Sequence, residues 1–205
     1  MINRPGTTRL ATLVLAVALT APITPALAAD NSGVDPNATH FEPNRVLAFD
    51  IPKLSDKIKV DGKLDEAAWA TAKKLEHFCE VDPGDNCAPA VNTEAFVAYD
   101  ADYLYVGFHC YDDNPGAIRA TVTDRDRMYS DDWVGVFIDT FKDQQNGYEL
   151  CVNPKGIQGD LRRSANNEDS SFDAVWYSGG QLTADGWTAE FGADKDELSP
   201  TGRNP

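Results

Sequence analysis

The chain is short of positive charge, of histidine and of long apolar runs, and each shortage excludes a class of function. It carries 18 Lys and Arg against 33 Asp and Glu, a net charge of −15. An acidic excess of that size repels phosphate backbones, so nucleic acid is excluded as a partner. No stretch approaches the ~20 consecutive apolar residues that a membrane-crossing helix needs, so no helical span is expected. The three histidines, His40, His77 and His109, stand far apart, and there is no His-Glu-x-x-His and no Gly-x-Ser-x-Gly. A glycosidase needs two carboxylates on either side of the scissile bond, and nothing in the pattern singles out such a pair. The chain therefore reads as a binding protein and not an enzyme. The four cysteines lack Cys-x-x-Cys spacing, which excludes a sulfur-ligated zinc site.

What is present begins with Arg4 and Arg9, an apolar run from Leu10 to Leu19 broken by Thr12, then Pro22, Pro25 and Ala26-Leu27-Ala28-Ala29. That order is a secretory signal peptide over residues 1–29, which implies an exported protein, periplasmic or extracellular. Its removal takes away two arginines and no acid, moving the net charge from −15 to −17. Outside the cytoplasm disulfides persist. Of the three possible pairings, Cys79 with Cys87 is favoured, because a turn-rich Val-Asp-Pro-Gly-Asp-Asn segment lies between them.

Residues 30–45 are rich in Asp, Asn and Pro without apolar periodicity and read as a flexible arm. Residues 65–72 open with acids and continue with good helix formers, giving one short helix. From Thr93 the pattern becomes short strands separated by turns, at 93–99, 103–111, 132–140, 147–153, 173–178 and 186–191. Along 103–111, Leu104, Val106, Phe108 and Cys110 share one face, and Tyr103, Tyr105, Gly107 and His109 share the other. The expected fold is all-β: an antiparallel β-sandwich of jelly-roll or immunoglobulin-like type over residues 46–191.

Ile58-Lys59-Val60-Asp61-Gly62-Lys63-Leu64-Asp65-Glu66-Ala67-Ala68-Trp69 resembles the opening signature of family 9 carbohydrate-binding modules. The blocks Ala98–Val106, Ser130–Asp139 and Val152–Gly156 follow in the family's order. Arg125-Asp126, Val152-Asn153-Pro154 and Asp185–Glu190 are closest to N-terminal domains of bacterial proteins that continue into an outer-membrane β-barrel. The resemblance implies binding of an oligo- or polysaccharide, a link to carbohydrate catabolism, and, in full-length relatives, a barrel partner. A released interaction domain of such a barrel protein is the alternative. After Glu190 the relatives continue as a strand, whereas Phe191 to Pro205 is polar here, so residues 192–205 are expected to be a disordered or aberrant tail left by truncation.

Sugars stack on aromatic rings and hydrogen-bond polar side chains. The family's aromatic place before the central strand falls on Tyr129, and Trp133 and Trp176 are further ligand candidates, with buried packing as their other role. Asn153 either faces a groove or bonds its own turn ahead of Pro154. Cys151 stands where sugar-binding members carry an arginine, a departure that removes a five-donor fork. Asp124, Asp126, Asp131, Asp132 and Asp139 gather around one strand and its loop. The resemblance implies a structural calcium there, held by Asp126, Asp131, Asp132 and Asp139, and a solvated acidic surface is the other reading. Related sandwiches also ligate haem, which here would need Met128 with His109 or His77.

Overall fold

The computed structural model describes residues 12–14, 41–43, 48–80, 87–165 and 167–198. Among the described residues, ten strands form two antiparallel sheets packed face to face. The first has the order β2-β3-β4-β10-β9: Lys73–Leu75, Thr93–Tyr99, Tyr103–Tyr111, Gly186–Asp194 and Trp176–Thr183. The second has the order β1-β5-β6-β7-β8: Thr12–Val14, Val134–Asp139, Gly147–Val152, Gln158–Ser164 and Asn167–Asp169. Period-two alternation decides which side chains meet. Val97, Val106, Phe108, Ala189 and Phe191 face inward from the first sheet, against Val134, Val136, Leu150 and Val152 from the second. Phe108 and Phe191 meet edge to face with centroids 5.6 Å apart, and Trp176 stacks on Phe191 at 5.2 Å.

The segment before Lys73 covers the outer face of the first sheet, where Leu54, Ile58 and Trp69 pack on Ala98 and Tyr105. The expected helix is one 3-10 stretch, Ala67–Thr71, just long enough to aim Trp69 at the sheet. Glu190, fully buried on β10, accepts hydrogen bonds from the backbone N–H groups of Asp61 and Gly62, both 2.8 Å, and from Trp69 Nε1 at 2.9 Å. Gly62 has a φ of +88°, and a Cβ there would stand 2.6 Å from the backbone nitrogen of Gly180. Only glycine permits both that turn and that approach.

Two expectations are corrected. β10 does not stop at Phe191: Gly192, Ala193 and Asp194 pair with Tyr105, Leu104 and Tyr103, Leu198 is buried in the core, and Lys195 Nζ donates to the Asp100 carbonyl at 2.7 Å. Ala193 fills the next inward place of the alternation, so the strand continues despite its polar outward residues. Residues 199–205 lie outside the described residues.

No disulfide joins Cys79 to Cys87. Glu80 and Cys87 are directly opposed, with mutual backbone hydrogen bonds of 2.9 and 3.2 Å. Cys79, one residue earlier, therefore projects to the opposite side of that ribbon.

β7 and the short β2 and β8 went unanticipated, because Gln158–Ser164 has a single apolar residue, Leu161. Of the expected leader, only Thr12–Val14 lies within the described residues, paired with β5 through Thr12 to Asp139, Leu13 to Ile138 and Val14 to Phe137. Of the expected arm, Phe41–Pro43 alone is described. No helix among the described residues is long and apolar enough to cross a membrane.

Candidate functional site

The outer face of the second sheet is built on a row of small residues. Gly135 on β5 is opposed to Cys151 on β6, and Cys151 to Gly159 on β7, so all three point to the same side. Tyr129 and Trp133 lie over this floor. A Cβ on Gly159 would stand 2.6 Å from the Tyr129 hydroxyl oxygen and 2.9 Å from its ring, and one on Gly135 would stand 3.3 Å from the Trp133 ring. The two rings meet edge to face at 5.8 Å, with Cys151 fully buried beside them. Tyr129 keeps 37% of its surface exposed and Trp133 is half-buried. Burial, with Cys151, Asp126 and Glu149 nearby, pushes the Tyr129 hydroxyl well above the ordinary tyrosine range, so it is a neutral donor.

One register step along, Phe137, Glu149 and Leu161 form the next row. Glu149 pairs with Arg163, which also reaches Glu168 at 2.5 Å. Glu149 and Arg163 add an acceptor and a forked donor beside the aromatic pair. Sequence reasoning missed both, because their place beside Tyr129 depends on the β6–β7 register.

The loop carrying Tyr129 is fixed from beneath. Asp131 is buried and accepts from the Thr121 backbone N–H (2.9 Å), the Thr121 hydroxyl (2.7 Å) and Asn153 Nδ2 (2.8 Å). Burial pushes its carboxyl upward, but these donors outweigh it and hold it below the usual aspartate value. Asn153 is also fully buried: its amide donates to Asp131 and to the Thr121 carbonyl, and its oxygen accepts from the N–H groups of Lys155 and Ile157. All its hydrogen-bonding capacity is used inside the protein, so it supports the site and does not line it. Met128, fully buried, packs against Gly159 from the same loop. Trp176 is in the core, away from this face.

The four aspartates expected to share a cation do not converge. Asp131 serves Thr121 and Asn153, Asp132 accepts from the Arg119 N–H (2.9 Å), and Asp139 accepts from those of Lys142 (2.6 Å) and Gln144 (2.9 Å). The carboxylates that do approach are Asp126, Asp160 and Asp173, with ligand atoms within 4.8 Å of one another. Arg125 already sits among them, 2.5 Å from Asp160 Oδ1 and 3.1 Å from Asp173 Oδ1, while Asp160 Oδ2 accepts from the Ala174 N–H at 2.6 Å. Burial raises the Asp160 carboxyl despite these partners. This donor set fits a guanidinium and not calcium, so no fitting site for the implied cation forms among the described residues. Nor does a haem pair form among the described residues: Met128 is fully buried behind Gly159, whereas His109 is on the outer face of the first sheet, stacked on Tyr111 at 4.0 Å and 3.3 Å from Asp185, and His77 is exposed beside Glu76.

A family model described as "Carbohydrate family 9 binding domain-like" matches residues 60–193. A family 9 carbohydrate-binding module from Caldicellulosiruptor kristjanssonii, solved with cellotriose, is 17% identical with a TM-score of 0.48, over 70% of this chain and 65% of that one. A Bacteroides uniformis protein assigned to carbohydrate binding is 12% identical with a TM-score of 0.53, over 72% of each chain. No curated protein matches the chain.

Proposed function

Because the chain belongs to the family of carbohydrate family 9 binding-domain-like proteins, we propose that it is an exported, non-catalytic module that holds saccharide on the outer face of β5, β6 and β7. The observation that carries this reading is Tyr129, partly exposed over a glycine floor, with Trp133, Glu149 and Arg163 around it. The apolar face of a pyranose lies on the tyrosine ring, and its hydroxyls reach the carboxylate and guanidinium. A neutral ligand suits a chain of net charge −15. Export rests on the leader pattern of residues 1–29, and a role in carbohydrate catabolism follows from the ligand class.

Calorimetry or affinity electrophoresis with cello-, xylo- and malto-oligosaccharides tests the proposal. Tyr129→Ala should weaken binding about tenfold, equivalent to ~1.4 kcal/mol, in a variant that still melts cooperatively. A folded wild-type protein that binds none of the three series contradicts it.

A second reading is an interaction domain tethered to an outer-membrane barrel. It is favoured by β5, an apolar strand whose outer edge meets Thr12–Val14 alone among the described residues. Cleavage of the leader would open that edge to another strand.

A further inference from the structure

The outer face of the first sheet holds a second aromatic recess, built on the same plan from different strands. Tyr105 on β4, Gly192 on β10 and Tyr177 on β9 lie in one row across the sheet. Val60 fills the place above the glycine, where a Cβ would stand 2.8 Å from Val60 Cγ2 and 3.7 Å from atoms of both Tyr105 and Tyr177. Tyr105 is the buried floor, its hydroxyl donating to Asp100 Oδ2 at 2.9 Å. Ile58 and Val60, from the segment over this face, close one side, and Tyr103 closes another, its ring 6.0 Å from Tyr105 and 5.8 Å from Tyr177. The recess encloses about 200 Å³. Tyr177 is 57% exposed, a large apolar surface that nothing in the fold covers among the described residues. Lys57 Nζ is 5.7 Å from the Tyr103 ring centroid and 3.0 Å from Asp102 Oδ2.

These features select a ligand class. Lys57 is paired with Asp102, so the recess offers no uncompensated positive charge to an anion, and the ammonium over Tyr103 occupies the place an aromatic cage would give a cation. The volume lies below the ~300 Å³ at which sites for drug-sized molecules begin. What remains is a small neutral group with an apolar face and hydroxyls at its rim, and a sugar ring has that shape.

We propose that the exposed ring of Tyr177 and the half-buried ring of Tyr103, over the buried Tyr105, form a second saccharide subsite, facing away from the one at Tyr129; this rests on the saccharide reading above. With sites on opposite faces of the sandwich, one molecule bridges two polysaccharide chains, and avidity on an insoluble or clustered ligand exceeds either single affinity.

Calorimetry on the full chain with cellotriose, xylotriose and maltotriose tests the proposal. Trisaccharides are too short for one ligand to be shared between the two faces. For the binding sugar, the wild type should take two equivalents and Tyr177→Ala one, while Tyr129→Ala should keep one equivalent at wild-type affinity and hold the other about tenfold more weakly, with both variants giving a cooperative melt. A wild-type stoichiometry of one that Tyr177→Ala leaves unaltered overturns the second subsite while the saccharide function stands. Absence of binding by the folded wild type overturns both.

Discussion

At the scale of single residues, the polar groups inside this protein act as ties between segments distant in sequence. Glu190 is the clearest case, since it joins the Asp61-Gly62 turn and Trp69 to β10. Burial pushes its carboxyl up to about 7 from 4.5, against the pull of three N–H donors that favour the ionised form. The folded protein thus holds this proton more tightly than the unfolded chain. Its contribution to stability is complete below pH 4.5 and is lost as pH rises through 7. Replacement by glutamine removes the titration and turns an amide N–H toward a buried donor. Thermal melts at half-unit steps from pH 4.5 to 7.5 should show wild-type stability falling relative to Glu190→Gln across that window. The variant should be weaker at pH 5 by about 1–3 kcal/mol. A constant difference between the two proteins across the window would show that Glu190 does not titrate there.

At the scale of elements, the site is a property of register. Gly135, Cys151 and Gly159 belong to three strands, and hydrogen-bonded pairing alone places them in one row beneath Tyr129 and Trp133. A methyl group added at position 159 meets the Tyr129 hydroxyl first, which can swing outward. Gly159→Ala should therefore lower saccharide affinity severalfold while costing no more than about 1–3 kcal/mol of stability. Parallel calorimetry and melting read the two effects, and unchanged affinity would mean that the position of Tyr129 over the floor is irrelevant. The same dependence explains what was legible in the sequence. β3, β4, β5, β6 and β10 declare themselves by apolar alternation or continuous apolar runs, and Tyr129 and Trp133 sit in blocks whose order marks the family. β7 does not declare itself, because Asp160 on its inner side is tied to Arg125 and the Ala174 N–H in place of apolar packing. Without β7 neither Glu149–Arg163 nor the glycine floor can be foreseen. Of the four internal hydrogen bonds of Asn153, the two from the N–H groups of Lys155 and Ile157 belong to the turn at Pro154 that the sequence suggested, whereas the two to Thr121 and Asp131 depend on a loop brought from more than twenty residues upstream. The Cys79–Cys87 pairing failed on parity: loop length suggested proximity, while one residue of offset sends the two thiols to opposite sides.

At the scale of the whole molecule, the sandwich is asymmetric. Residues 51–72 pack over much of the outer face of the first sheet, and the 3-10 stretch, Trp69 and Glu190 fasten them there. The outer face of β5, β6 and β7 has no such cover from that segment, and its aromatic pair is held in place by the loop between Arg119 and Asp132. Oligosaccharide titrated into isotopically labelled protein and followed by nuclear magnetic resonance tests that assignment most directly. The indole N–H of Trp133 and the amides of Gly135, Cys151 and Gly159 should shift together along one saturating curve. A titration that saturates at other residues while these four signals stay still would contradict the account.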